Sequence, residues 1–233
     1  MLNEIKATLY YLGLDMKFSF KVFWSILILT TSAAFLLALT LDIKMIFVTS
    51  AAIYIFCGIT GSLTTKETFP YCIKLGATRT NYTLSVLIYC AAVAFIFSLI
   101  NVGVISIFKG LMHLNPSNQF FIYHIVEATS LANAWYNQLL VDAIVCFVLL
   151  SLGFLLGTIF YRLGLIGGFT TIAVLFIAVL IPYTRDAILD LILNMHGWQV
   201  GVNFLLIIGL ALVAYLPNWG LLRKASTISN ATR

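Results

Sequence analysis

What this chain has least of is charge. Asp, Glu, Lys and Arg make up 9% of its 233 residues, against about 25% in a soluble globular domain, which needs them to keep its surface in water. With 62% of the residues hydrophobic, no water-soluble core of ordinary size hides so much apolar side chain. One polytopic membrane domain over the whole length is therefore expected, rather than a soluble domain on an anchor.

Other absences narrow the chemistry. Cys57, Cys72, Cys90 and Cys146 occur singly, with no CxxC and no neighbouring histidine, so they read as structural thiols rather than metal ligands or redox pairs. The first twenty residues lack a short apolar core followed by a small-residue cleavage site, so the first span is expected to act as its own insertion signal. No GxxxxGK[ST] occurs. If ATP and Mg drive this chain, they bind another polypeptide, and no cofactor or metal is expected here.

Six apolar runs are each long enough for the roughly 20 residues that cross a bilayer core: residues 22–41, 45–63, 83–108, 139–160, 163–183 and 200–219. The expected fold is all-α, a six-helix transmembrane domain over 22–219 with both termini on one side. If that side is the cytoplasm, ten basic residues lie inside (Lys6, Lys17, Lys21, Lys66, Lys74, Arg79, Arg162, Arg223, Lys224 and Arg233) and three outside (Lys44, Lys109 and Arg185). That excess sets the orientation in the plasma membrane. It also assigns the net charge of +5 to topology and anionic lipid rather than to nucleic acid.

Ahead of the first run, residues 1–21, "MLNEIKATLYYLGLDMKFSFK", place Leu2, Ile5, Leu9, Leu12 and Met16 at spacings of three and four. This is the pattern of an amphipathic helix lying in the membrane interface. The short connections 42–44 and 161–163 imply tight antiparallel hairpins. Longer connections, 109–138 and 184–199, fall outside, and 220–233 is a cytoplasmic tail. In 184–199, Asp186 and Asp190 stand four apart among leucines and isoleucines, with Trp198 beyond. The segment reads either as a helix dipping back to form an external vestibule or as one resting on the outer leaflet.

Charge within a span is costly and therefore usually functional. Asp142 is the only acid in or near a span, and no Lys, Arg or His lies within the six. An ion-coupled carrier needs ionisable groups or broken helices at mid-membrane, and this inventory disfavours one. Asp142 reads either as a relay or, beside Asn137 and Gln138, as a cap near the outer helix end. His113, His124 and His196 fall in the external connections as solvated or interfacial residues, and no catalytic residue is expected.

One stretch breaks the apolar pattern: "TTKETFPYCIKLGATRTNY", residues 64–82, the longest inside connection. Pro70 suits a helix start and Gly76 a helix end. A short helix between them would present Phe69, Tyr71 and Leu75 beside Glu67, Lys74 and Arg79, a combination suited to a partner's socket. The plainer alternative is a charged loop obeying the positive-inside rule.

The layout of interfacial helix, six spans, cytoplasmic "ETFPYCIKLGATRTNY" and amphipathic external segment resembles the permease subunit of ABC-2 type ABC transporters, in the small bacterial form without an extracellular domain. "FP" followed by "LGATRTNY" is similar to the "P...LGxTR" pattern carried at this place by such permeases. The resemblance implies a permease dimer, with a second copy or a paralogue, each half seated on a cytoplasmic ATPase that holds ATP and Mg. The coupling helix would be 69–76, flanked by Glu67, Thr78 and Arg79. The first span would meet its neighbour across the dimer through the small residues Thr30, Thr31, Ser32, Ala33 and Ala34, which suit close approach. Gly153 and Gly157 form a GxxxG read as packing within the subunit.

The functional expectation is an ATP-driven exporter of amphipathic or antimicrobial peptides or other hydrophobic substrates. A non-transporting scaffold or sensor using the same loop, and an intramembrane lipid-modifying enzyme using Asp142 or the histidines, are its rivals.

Overall fold

Apolar sequence winds into helix wherever backbone groups cannot reach water, and this chain does so through most of its length. The computed structural model describes residues 2–41, 43–114, 120–128, 131–182, 193–196, 199–202, 204–223 and 225. In chain order the elements are α1 (Leu2–Leu41), β1 (Met45–Phe47), α2 (Thr49–Leu63), α3 (Phe69–Lys74), α4 (Arg79–Leu114), β2 (Phe120–Ile122), a 3-10 turn (Ile125–Ala128), α5 (Trp135–Leu180), β3 (Leu193–His196), β4 (Gln199–Val202) and α6 (Phe204–Arg223). Among the described residues, three helices are long and apolar enough to cross a membrane: Asn3–Leu41, Arg79–Leu114 and Trp135–Ile177.

The amphipathic segment 1–21 and the first apolar run do not form two helices at an angle. From residue 2 onward they are one helix, because the stripe begun by Leu12 continues in helical register through Trp24, Leu27, Thr31, Phe35 and Ala38, all buried. This stripe lies along α4. Asn81 Nδ2 donates to Glu4 at 2.7 Å and the Tyr89 hydroxyl to Met16 Sδ at 2.7 Å. Further along, the Phe20 and Phe97 rings meet at 5.3 Å and those of Phe35 and Phe108 at 6.0 Å. The partners stay 73 to 77 residues apart in sequence at every level, so α1 and α4 run parallel.

The 42–44 connection does not close a simple helix hairpin either. Met45–Phe47 is extended and pairs in parallel with Phe120–Ile122, Met45 opposite Phe120 and Phe47 opposite Ile122. Aromatic and β-branched residues favour strand when a partner edge is at hand, and Phe120 locks the pair by burying its ring against Phe35 and Phe108. Helix α2 therefore begins only at Thr49 and is 15 residues long.

Helices α2 and α5 touch backbone to backbone. A Cβ on Gly61 would fall on the Leu150 carbonyl, one on Gly153 on the Gly58 carbonyl, and one on Gly157 on the Ser62 carbonyl. The GxxxG thus packs within the subunit. Thr65 and Thr158 extend the seam, their hydroxyls 3.2 Å apart.

Helix α2 passes into α3 without a break, through a π-helical segment at Thr64–Thr68. Pro70, in the first turn of α3, has no N–H to offer the preceding turn and its ring crowds the carbonyl there. The widened π turn absorbs that misfit. Pro70 therefore marks a wide turn in a continuing helix rather than a fresh start. The end of α3 is as expected: Gly76 has φ 94°, a region that suits glycine. The Gly76 and Ala77 N–H groups return to the Ile73 and Cys72 carbonyls, both at 3.0 Å, a Schellman termination.

The fourth and fifth apolar runs form the two limbs of α5, separated by a sharp bend at Gly164, where φ 75° and ψ −173° are accessible essentially to glycine alone. Phe160 and Phe169 would stand roughly 13 Å apart along a straight helix. Their ring centroids are 5.6 Å apart, so the chain turns back on itself here. At the end of α6 two arginines serve as caps: Arg79 donates to the Arg223 carbonyl, and Arg162 donates to that of Leu221 at 3.3 Å. Cations on the last carbonyls complement the negative end of the helix dipole.

Candidate functional site: a buried polar cluster and an exposed helix face

The largest concentration of buried polar groups gathers on Asp142, in the second turn of α5 and 1% exposed. Its Oδ1 accepts from the Tyr54 hydroxyl at 2.6 Å. Its Oδ2 accepts from Asn101 Nδ2 at 2.6 Å and faces His124 Nε2 at 2.9 Å. The Val126 N–H donates to His124 Nδ1 at 3.1 Å, which leaves the proton of a neutral imidazole on Nε2, pointed at the carboxylate. Asn101 is fully used: its other amide hydrogen reaches Ser50 Oγ at 3.0 Å, and its Oδ1 accepts from the Thr49 hydroxyl at 2.8 Å. Four segments meet here: α2, α4, the loop before the 3-10 turn, and α5.

This geometry corrects two expectations. Asp142 is not an interfacial helix cap, and His124, at 2% exposed, is not a solvated histidine. Place in the sequence does not decide burial here; the loop carrying His124 does, by folding inward onto Asp142. Lys109 pairs with Glu127 above it, and Asn133 Nδ2 donates to the same Glu127 oxygen at 3.3 Å. His113 stays exposed, and the side chain of His196 lies outside the described residues.

The cluster ties its four segments together. Both imidazole nitrogens are engaged, and among the described residues no serine or cysteine is bonded to His124. Asp142 makes three side-chain hydrogen bonds at a buried position. His124 and Asp142 are the nearest approach to a metal-ligand pair, and among the described residues no third His, Cys, Asp or Glu joins them.

The second candidate is the stretch 64–82. Glu67, Tyr71, Lys74, Leu75, Gly76 and Thr78 are exposed, with Leu75 at 68%, while Pro70 is half-buried. Phe69 is not presented at all. Its ring is fully buried, edge-on to Tyr82 at 5.2 Å and to Tyr161 at 5.4 Å, because the unbroken helix from α2 turns this position inward. Arg79 is half-buried and committed to the α6 terminus. Tyr71 lies flat on Tyr11 of α1, centroids 4.6 Å apart. What remains for a partner is a small face of Glu67, Lys74, Leu75 and Thr78, with Lys66 beside it.

That face sits on a stiff base. The Tyr82 hydroxyl bonds Thr68 Oγ1 at 2.9 Å and the Thr64 carbonyl at 2.8 Å. Cys72 lies on the buried side of α3, and desolvation, with the Asp15 charge adding to it, pushes its thiol up to about 11.

In α1 the small patch divides. Thr31 is fully buried and donates to the Leu27 carbonyl at 2.7 Å, so it packs inside the protomer. Thr30 is exposed, and its hydroxyl bonds back to the Ile26 and Leu27 carbonyls. Ser32 and Ala34 are half-buried. Asp186, Asp190 and Trp198 lie outside the described residues.

Compared with known proteins, the chain matches no family model, no curated protein and no solved structure.

Proposed function

We propose that this chain is the membrane-spanning permease subunit of an ATP-driven exporter of the ABC-2 type. In this reading it lies in the plasma membrane with six spans and both termini in the cytoplasm, and it acts with a second permease and a separate ATPase that holds ATP and Mg. The observation that carries the proposal is the exposed side of α3: Leu75 beside Lys74 at its end, with Lys66 and Glu67 about two turns back, all exposed, on a helix continuous with α2. An exposed apolar residue next to charged ones is a composition suited to a docking point.

The mount gives such a face a mechanical use. A push on α3 passes along the unbroken backbone into α2, and through Phe69 into Tyr82 of α4 and Tyr161 of α5. The polar cluster on Asp142 joins the same three helices a second time, through Thr49, Asn101 and Asp142, which favours α2, α4 and the first limb of α5 moving as one unit. The scarcity of charge in the spans favours a hydrophobic or amphipathic substrate.

The test is purification of the tagged chain in mild detergent, with mass spectrometry of what accompanies it. A stoichiometric partner carrying GxxxxGK[ST], lost on Leu75→Glu, supports the proposal. A preparation without an ATPase overturns it and favours a scaffold.

A further inference from the structure

A groove of about 540 Å³ runs between α1 and α4, floored by Gly13, Met16, Phe20, Ala92, Val93 and Phe97. Its shape follows from small residues at facing positions. Gly13 has no side chain, and a Cβ built there meets nothing within 4 Å; across from it Ala92 contributes one methyl group. One rim is basic. Lys17 and Lys21, one turn apart and both exposed, line the groove. Among the described residues neither is in an ion pair, although Asp15 lies on the same helix.

Helical side chains lean toward the N-terminus, which directs Lys17 and Lys21 back along the rim they line. The result is an apolar slot with two positive charges on one edge.

We infer that this groove is a binding site for one anionic phospholipid, its acyl chain lying along Val93, Phe97 and Phe20 and its phosphate held by Lys17 and Lys21. The charge complement decides the occupant. A zwitterionic lipid brings its own cation to the rim, and an uncharged apolar helix leaves two lysines unmatched. Two lysines on one rim favour an anionic headgroup over a zwitterionic one. The site requires only that the chain be embedded in a membrane and is independent of any ATPase.

The experiment is native mass spectrometry of the full chain from vesicles of equimolar phosphatidylglycerol and phosphatidylcholine. Wild type is expected to retain one lipid per chain, phosphatidylglycerol over phosphatidylcholine by about tenfold. K17Q/K21Q should bring that ratio near one while Lys6→Gln, off the groove, leaves it unchanged. Gly13→Leu, which fills the open floor without touching the lysines, should reduce retention of both lipids.

Equal retention of the two lipids by wild type overturns the inference, as does an unchanged ratio in the double variant. A third result also overturns it: disulfide-linked dimers from an Ile88→Cys variant in membranes would show that a second copy covers the groove.

Discussion

Asn101 of α4 and Asp142 of α5 are joined by a 2.6 Å hydrogen bond inside the molecule, where each also binds α2: Asn101 through Thr49 and Ser50, Asp142 through Tyr54. Neither residue has an exposed surface of consequence, so the energy of the contact is not diluted by water.

Asp142→Ala should therefore cost about 3 kcal/mol or more, since it strands three donors in a dry site. The thermal midpoint of the detergent-solubilised chain should fall by several degrees. Asp142→Asn keeps the shape and one acceptor oxygen and should cost less. A double-mutant cycle with His124→Ala should show coupling of roughly 0.5–3 kcal/mol, as expected for residues in one network. Additive effects would mean that the pair does not fasten the loop.

Glycine substitutions should separate by position. A methyl group at Gly153 falls on a backbone carbonyl, whereas at Gly103 of α4 it meets nothing within 4 Å. Gly153→Ala is expected to cost about 1–3 kcal/mol as the seam is forced apart. Gly103→Ala should be neutral or stabilising by up to about 1 kcal/mol through helix propensity. Equal midpoints for the two variants would contradict the α2–α5 contact.

Much of this architecture is legible in the sequence because lipid-scale apolar runs and glycine leave strong local marks. The helical runs, the Schellman end at Gly76 and the turn beside 161–163 all follow from composition and one or two residues. The cluster on Asp142 is not legible in that way. Its members come from Thr49, Tyr54, Asn101, His124 and Asp142, and nothing local says that the loop holding His124 turns inward. One signal was there: Asn101 is a lone amide in an otherwise apolar run, and such a group needs a partner at its own depth. The continuity of α1 is not legible for a related reason. The amphipathic pattern of residues 1–21 fits a membrane surface or a neighbouring helix equally well, and only the parallel run of α4 decides between them.

Cys72 offers a chemical check on the α3 mount. Thiolate is the reactive form, and burial raises this thiol to about 11 from an ordinary 9.0, so below pH 9 its thiolate fraction is about a hundredfold lower than normal. Alkylation by N-ethylmaleimide at pH 7.5 should be slower than for a peptide thiol by at least that factor, then rise steeply as pH approaches 11. Since the folded value lies above the unfolded one, ionisation at high pH also works against the packing of α3. Rapid labelling at neutral pH would show that α3 lifts off its base.

Leu75 and Phe69, two apolar residues of the 64–82 stretch, should behave in opposite ways. Leu75 is 68% exposed, so Leu75→Glu should leave the thermal midpoint within about a degree or two of wild type, as surface changes do. If α3 docks an ATPase, the same change should lower recovery of that partner about tenfold or more, the scale of a lost interface anchor. Phe69 is wedged between Tyr82 and Tyr161, and Phe69→Ala should cost about 3–5 kcal/mol. Its effect on the partner would be indirect, through a loosened mount, and restoring the ring with Phe69→Tyr or the bulk with Phe69→Leu should recover part of both. Midpoint and recovery measured on the same preparations separate the roles. A Leu75→Glu chain that keeps its partner would place docking elsewhere, and a Phe69→Ala chain of wild-type stability would mean that the force path from α3 into α4 and α5 does not exist.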